Sequence, residues 1–267
     1  MRRDPDSSFD MNIYKHNSLA WDTEAKRGNP WTKPVSSKEV ELARNGKFRI
    51  LLTPAKPVPA DWLLPVKNKK VLCLASGGGQ QGPILAAAGA KVTVLDASKQ
   101  QLEADMAVAK RERLTLITVL GDMADLRCFP KNSFDIIVNP VSNCFIPDVR
   151  PVWRECFRAL KKGGRLLSGF NNPIFYCFDR GLEAKGVLQV KYSLPYSDIT
   201  SLTVKEKKEF LKNKEPFEFG HTLQDQIGEQ LAAGFSLRGF YEDKWGNGCL
   251  ADKYFPQFIA TLAVKGT

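Results

Sequence analysis

The stretch VLCLASGGGQQGP, residues 71–83, decides how the rest of this chain is read. Val71, Leu72, Cys73, Leu74 and Ala75 form a continuous apolar run, the pattern of a strand buried on both faces. Three consecutive glycines follow, and Gly82 completes a G-x-G-x-x-G spacing before an alanine-rich helical segment. Glycines between a strand and a helix permit a tight turn and let a ligand approach the backbone closely. Taken alone, such a turn suits a dinucleotide, a phosphate or another nucleotide-bearing ligand.

Downstream of the turn, strand-like and helix-like segments alternate. AKVTVLD is the second strand, and SKQQLEADMAVAKRERL is a long amphipathic helix with Ser98 and Gln101 spaced as a capping box. LTLITVL and FDIIVNP are the third and fourth strands. VRPVWRECFRAL is a helix that KKGG ends with a C-terminal glycine, and GRLLSGF is the fifth strand. This alternation predicts an α/β domain, a parallel sheet with helices on both faces. Over residues 171–221 it stops. There VLQVKYSLPYSD alternates like a hairpin strand and TVKEKKEFLKNKE reads as a charged helix. HTLQDQIGEQLAAGF is a further capped helix ending at Gly234. FSLRGFYED and FPQFIATLAVKG are final strands too close in sequence for a helical crossover, so they pair antiparallel.

Upstream, residues 1–12 read as a mobile tail. Residues 14–70 read as an irregular cap rich in Pro and Trp, with a short helix from Ser36 or Ser37 through Ala43 and a strand-like run FRILLT. The predicted organisation is a tail and cap over 1–70, then a main domain over 71–267 carrying a substrate-lid insert at 171–221.

Two acids sharpen the ligand. Asp96 ends the second strand 19 residues after Gly77. That spacing sets a carboxylate beside the ribose of a nucleotide bound at the first turn. Asp122 follows the third strand, where a carboxylate can accept from an exocyclic amine on adenine, with Met123 offering an apolar face to the ring. These features predict an adenosine-bearing ligand at the carboxyl edge of the sheet. They leave NAD and S-adenosylmethionine both open. The topology favours the second, because a dinucleotide fold continues with a second set of βαβ units and this chain ends in one helix and two adjacent strands.

With these residues in place, segment 71–169 resembles the class I S-adenosylmethionine-dependent methyltransferases, whose first motif runs roughly V-L-D-L-G-x-G-x-G. The resemblance implies a Rossmann-like methyltransferase fold: a mostly parallel seven-stranded sheet with an antiparallel C-terminal strand, an N-terminal cap and an insert after strand five. It implies S-adenosylmethionine as cofactor and no metal. Cys73 stands where the family often has an acid, and Ala75 where it often has the first glycine. The methionine end of the cofactor is therefore expected to meet Ala75, Ser76, Gly77 and Gly79, aided by Gln80 or Gln81. Asp96 with Ala97 would serve the ribose, and Asp122 with Met123 the adenine. Asn139 completes the cofactor set at the end of the fourth strand. NCFIPD is similar to an H-I-P-D-like stretch of the small-molecule branch, which implies a small-molecule methyl acceptor.

Methyl transfer from a sulfonium is an in-line displacement that needs positioning and desolvation more than acid–base groups. The acceptor is expected at residues 139–145. Asn143 would orient it, and His221 would act as base for an acceptor hydroxyl or thiol, unless it is a packed loop histidine. Asn139-Pro140 matches only part of the N/D-P-P-Y/F motif of enzymes that methylate base amino groups. Tyr14, Trp21, Trp31, Phe145, Phe175 and Tyr176 are expected to wall the acceptor, since sulfonium cations favour aromatic faces. Trp245 and Tyr254 would close the same face.

Composition narrows the alternatives. Hydrophobic residues make up 43% and charged residues 25%, as in a soluble globular protein. No apolar run is long enough to span a membrane, and MRRDPDSSFD lacks the apolar core of a secretory signal. Six cysteines without a CxxC pair suit reduced thiols in a cytoplasmic protein, and two histidines give a zinc site little to work with. The net charge is +10, with 14 Lys/Arg against 8 Asp/Glu over residues 1–70, 13 against 9 over 71–170 and 12 against 12 beyond. That excess keeps RNA methylation open as a second function, though nothing resembles an RNA-binding module. A third reading is a protein that binds the cofactor without transferring its methyl group.

Overall fold

Alternate residues of β1 (Lys70–Leu74) serve two different hydrophobic layers. Val71 and Cys73 join Val92, Val94, Ile136, Val138 and Leu167 on one face of the sheet. Leu72 and Leu74 join Leu95, Ile137 and Leu166 on the other, against Trp153 and Cys156. This period-two division on a fully buried strand is what the apolar run predicts. The computed structural model describes residues 12–246 and 248–266, so the tail expected at 1–12 lies outside the described residues except for Asn12.

The sheet adds β2 (Lys91–Asp96), β3 (Leu116–Leu120), β4 (Phe134–Asn139), β5 (Leu160–Asn171), β6 (Phe235–Asp243) and β7 (Phe258–Lys265). Its order is β3-β2-β1-β4-β5-β7-β6. Strands β1 to β5 pair parallel, and β7 runs antiparallel to both β5 and β6. The chain moves outward from β1 through β2 to β3, then returns to place β4 on the other side of β1. The crevice at the carboxyl ends of β1 and β4 is therefore the switch point where such sheets bind ligands.

Several local expectations are corrected. Residues 14–70 are not irregular throughout: they open with α1 (Ile13–Arg27), capped by Asn12 and ended by Gly28 in the left-handed conformation. α2 (Ser37–Arg44) begins as expected, with Ser36 and Glu39 in a reciprocal capping box. FRILLT forms no strand; Leu51 makes only an isolated bridge to Pro57. α3 (Gln81–Ala87) and α4 (Lys99–Glu112) follow β1 and β2. At the start of α4, Ser98 accepts from the Gln101 amide, but its hydroxyl donates to Asp22 on α1 at 2.6 Å, and the side-chain oxygen of Gln101 has no partner. The box is thus only half formed, because the Ser98 amide donates to Asp96 and not to the Gln101 side chain. α5 (Arg150–Ala159) runs directly into β5, so KKGG does not end the helix. Gly163, at φ 71°, instead lies where the β4–β5 register shifts.

In the insert, the expected hairpin strand reduces to a bridge between Phe178 and Val190 and a two-residue pair of Tyr196–Ser197 with Phe219–Gly220. The charged helix is α6 (Val204–Asn213), with a Thr203–Glu206 capping box. Thr222 and Asp225 cap each other reciprocally ahead of a π turn, Gln224–Gly228, that continues into Glu229–Ala232.

Candidate active site

The glycine turn is shaped by its own packing before any ligand is considered. Asp96, at the end of β2, accepts from the Gly77 amide at 2.9 Å through one oxygen and from the Ser98 amide at 2.9 Å through the other. A Cβ on Gly77 would come within 2.8 Å of Gln101 and 3.0 Å of Asp96, and Gly78 and Gly79 take φ of 103° and 72°. Three adjacent glycines therefore answer to close packing and left-handed backbone. Ala75, where the resemblance has glycine, also sits left-handed at φ 46°, and its amide donates to Leu95. Strain of this kind persists where the surroundings over-determine it, and it collects at ligand sites.

Above the turn lies a cavity of about 560 Å³. One end of it is lined by Ala75, Ser76, Gly77, Asp96, Ala97, Asp122 and Met123. The other end is lined by Cys144, Phe145, Asn171, Phe175, Arg180 and Glu218. α1 spans both. Its Ser18 hydroxyl donates to the Ala97 carbonyl at 2.7 Å. Its Asn17 amide donates to Phe145 at 2.8 Å and to Phe217 in the insert at 2.9 Å, while its oxygen accepts from the Phe217 amide. Tyr14 and Trp21 on the same helix face line the cavity, and Trp21 meets Phe145 edge-on at 5.0 Å. Burial raises the pKa of the Tyr14 phenol, and the carboxylates of Asp122 and Asp96 add to the shift. Trp31 and Trp245 lie 6.0 Å apart and line the cavity, whereas Tyr254 is 71% exposed and does not.

The two glutamines have different fates. The Gln80 amide donates to the carbonyls of Lys33 and Pro30, tying the turn to the N-terminal segment. The Gln81 amide donates to Leu51 at 2.6 Å, and its buried oxygen has no partner. Ser76 and Gln101 also present buried oxygens without partners, and all three residues line the cavity. Buried polar atoms left unpaired are rare in folded proteins. Here they form an acceptor-rich set beside the turn, which fits the ammonium end of S-adenosylmethionine. Asp96 fits a diol: burial raises its pKa, and the amides of Ser98, Gly77 and Ala97 oppose that. Asp122 accepts from the Ala124 amide at 2.8 Å and lines the same end.

Besides Tyr254, five other predicted residues do not line the cavity. His221 is buried, and its Nε2–H is shared between the carbonyls of Asn143 and Ile146, each at 3.0 Å. Both partners are acceptors, so that nitrogen carries the proton. Burial lowers its pKa, against the two hydrogen bonds. It braces the loop after β4 and does not stand as a base in the cavity. Asn143 is fully buried and donates to Gln226 at 3.2 Å. Asn139 is consumed internally: it donates to Leu74 and Ser142 and accepts from Ser168. Tyr176 is buried beneath Phe175 and donates to Glu218 at 2.9 Å. A Cβ on Gly79 would meet Pro34, Ala104 and Val108, so Gly79 faces the cap and α4. Conversely, the sequence reading missed Asn17, Ser18, Gln101, Asn171, Arg180 and Glu218. Asn12 and Gly28 bracket α1 as cap residues, but with no apolar stripe between them they do not by themselves mark a helix, and nothing local marks the rest.

Fold and site together define a nucleotide-binding α/β domain of the methyltransferase type. The family described as "Methyltransferase domain" matches residues 72–168. The chain is 52% identical to the uncharacterized methyltransferase YbaJ of Bacillus subtilis, over 95% of this chain and 98% of that one. It is 30% identical to the ubiquinone/menaquinone biosynthesis C-methyltransferase UbiE of Cronobacter sakazakii, over 44% of this chain and 49% of that one. Among solved structures, a Mesorhizobium loti S-adenosylmethionine-dependent methyltransferase matches with a TM-score of 0.61 at 18% identity, covering 77% of this chain and 94% of that one. The chain belongs to the class I S-adenosylmethionine-dependent methyltransferases, with the Rossmann-like fold of that family and S-adenosylmethionine as its cofactor.

Proposed function

We propose that this methyltransferase acts on a small molecule held between the cofactor end of the cavity and its lid, at an oxygen, nitrogen or sulfur atom. The name of the Cronobacter relative adds carbon to those acceptor atoms. The observation that carries the reading is enclosure: a cavity of about 560 Å³ bridged by α1 and the insert, within the range of small-molecule sites. In this reading residues 1–70 are a cap and 171–221 a lid on the domain formed by the remainder. The insert reaches α1 again where His16 Nε2 meets the Glu215 carbonyl at 2.9 Å.

The bound cofactor supplies an electrophilic methyl group on a sulfonium. Asp96 and Ala97 would hold its ribose, and Asp122 and Met123 its adenine. Ser76, Gln81 and Gln101 would receive its ammonium. Tyr14, Trp21, Trp31 and Phe145 exclude water and offer ring faces to a cation, which suits a displacement governed by positioning. Methylation of RNA is disfavoured by the lining itself. Glu24, Asp96, Asp122, Glu215 and Glu218 face one cation, Arg180, which is a poor entrance for a polyanion. Among the described residues no disulfide joins any of the six cysteines, which fits a reducing cytoplasm. Among the described residues no helix is long and apolar enough to cross a membrane.

The test is to supply S-adenosylmethionine labelled at its methyl group together with fractionated cell extract. Label is expected in a small-molecule fraction. Label confined to RNA would overturn the reading.

A further inference from the structure

Arg180 stands at the lid end of the cavity as its single cationic lining residue among the described residues. One of its nitrogens donates to Glu218 at 2.8 Å, and the same carboxylate oxygen accepts from the Tyr176 hydroxyl at 2.9 Å. The guanidinium carbon lies 4.8 Å from the Phe175 ring centre and 5.3 Å from that of Tyr176. The group is thus held in place by one ion pair and two aromatic rings, while its side chain keeps 44% of its surface accessible. A guanidinium has five N–H donors, and Glu218 uses one. We propose that Arg180 anchors an anionic oxygen, a carboxylate or a phenolate, carried on a planar methyl acceptor. This inference rests on the small-molecule reading above.

Three features favour that chemistry. A planar guanidinium fork matches an oxyanion in geometry as well as charge, and its remaining donors have no acceptor among the described residues. The four carboxylates elsewhere in the lining, Glu24, Asp96, Asp122 and Glu215, repel an anion, so an anionic acceptor finds one favourable orientation, with its oxygen at Arg180. Phe175 and Phe145 line the same end and accommodate a flat ring. Glu218 offsets much of the charge of Arg180 at long range. The selectivity therefore resides in directional hydrogen bonds and does not depend on bulk attraction.

The test uses the full-length protein saturated with S-adenosylhomocysteine and measures binding by calorimetry. Benzoate and 4-nitrophenolate are compared with the neutral probes benzamide and nitrobenzene. At least one anion should bind about tenfold tighter than its neutral counterpart, the effect of one charge-assisted hydrogen bond. The anion that shows the preference identifies the oxygen as carboxylate or phenolate. Arg180→Met should abolish the preference and Arg180→Lys should keep part of it, with S-adenosylhomocysteine affinity unchanged in both as the check on folding. Neutral probes binding as tightly as the anions, no binding of either anion, or a preference that survives Arg180→Met would overturn the inference. Failure of the wild-type protein to bind S-adenosylhomocysteine would instead count against the cofactor site.

Discussion

Asp105→Asn tests the most unusual buried group near the glycine turn. Asp105 lies on α4, fully buried, and neither carboxyl oxygen has a hydrogen-bond partner. A Cβ on Gly82 would come within 3.2 Å of it. Burial pushes its carboxyl up to about 8; the nearby Gly79 amide opposes that, the Asp96 carboxylate adds to it, and the Gly78 amide opposes it more weakly. The Gly78 amide already donates to the Gln101 carbonyl at 3.0 Å. At neutral pH the folded protein therefore keeps a proton on Asp105 that the unfolded chain, titrating near 3.8, has lost. An acid whose folded value is raised stabilises most below the unfolded value, and stability declines as pH climbs toward the folded value. Between pH 5 and 7 the slope is about −1.4 kcal/mol per pH unit. Asparagine keeps the shape and does not titrate. The variant should therefore gain on the wild type by about 2.7 kcal/mol from pH 5 to pH 7. Urea unfolding at both pH values, followed by tryptophan fluorescence, measures the gap. A gap that stays constant would mean that Asp105 is ionised in the folded protein, and the reasoning would fail.

Three other outcomes are expected. Asp96→Ala should weaken S-adenosylhomocysteine binding by about tenfold or more, the loss of a charged hydrogen bond, and calorimetry that finds unchanged affinity would remove the ribose contact. Ala75→Gly trades left-handed strain against chain entropy, each about 1 kcal/mol, and should melt close to the wild type, whereas Ala75→Val should lose at least about 1 kcal/mol more. Equal melting temperatures for the two would contradict the strain at φ 46°. His221→Phe strips a donor from two carbonyls and should cost about 1–3 kcal/mol of stability, yet leave kcat within a few fold of wild type. Because burial lowers the His221 pKa from 6.5, wild-type stability falls as pH drops below that value, and the variant should lack this loss. A kcat reduced a hundredfold in a folded variant would restore His221 as a base.

Local pattern was enough for most of the sheet. The run at 71–75, the Ser36 cap and the closely spaced final strands each depend on neighbours in sequence, so their signals survive in one dimension. α1 escaped because its working face is Tyr14, Asn17, Ser18 and Trp21, a mixture with no apolar stripe for periodicity to register. Its helical start and stop, Asn12 and Gly28, were visible but carried no weight without a stripe between them.

The chain by itself determined the family, the alternation of strands and helices from β1 to β5 and the acids at the ends of β2 and β3, because each is written as a strand, a turn and a residue at fixed spacing. Tertiary structure alone decided who faces the cavity. His221 and Asn143 carry the right chemistry, but His221 is spent on the loop after β4, and Asn143 lies off the cavity with its amide on Gln226 and its side-chain oxygen buried without a partner. Arg180 and Glu218 are 38 residues apart and meet only because the insert folds back on itself. Of the two glutamines in VLCLASGGGQQGP, one amide is drawn to Lys33 and the other to Leu51, and only Gln81 keeps a buried oxygen free. A hydrogen bond to a distant carbonyl has no signature in local sequence, so the division of labour between those adjacent residues exists only in the folded molecule.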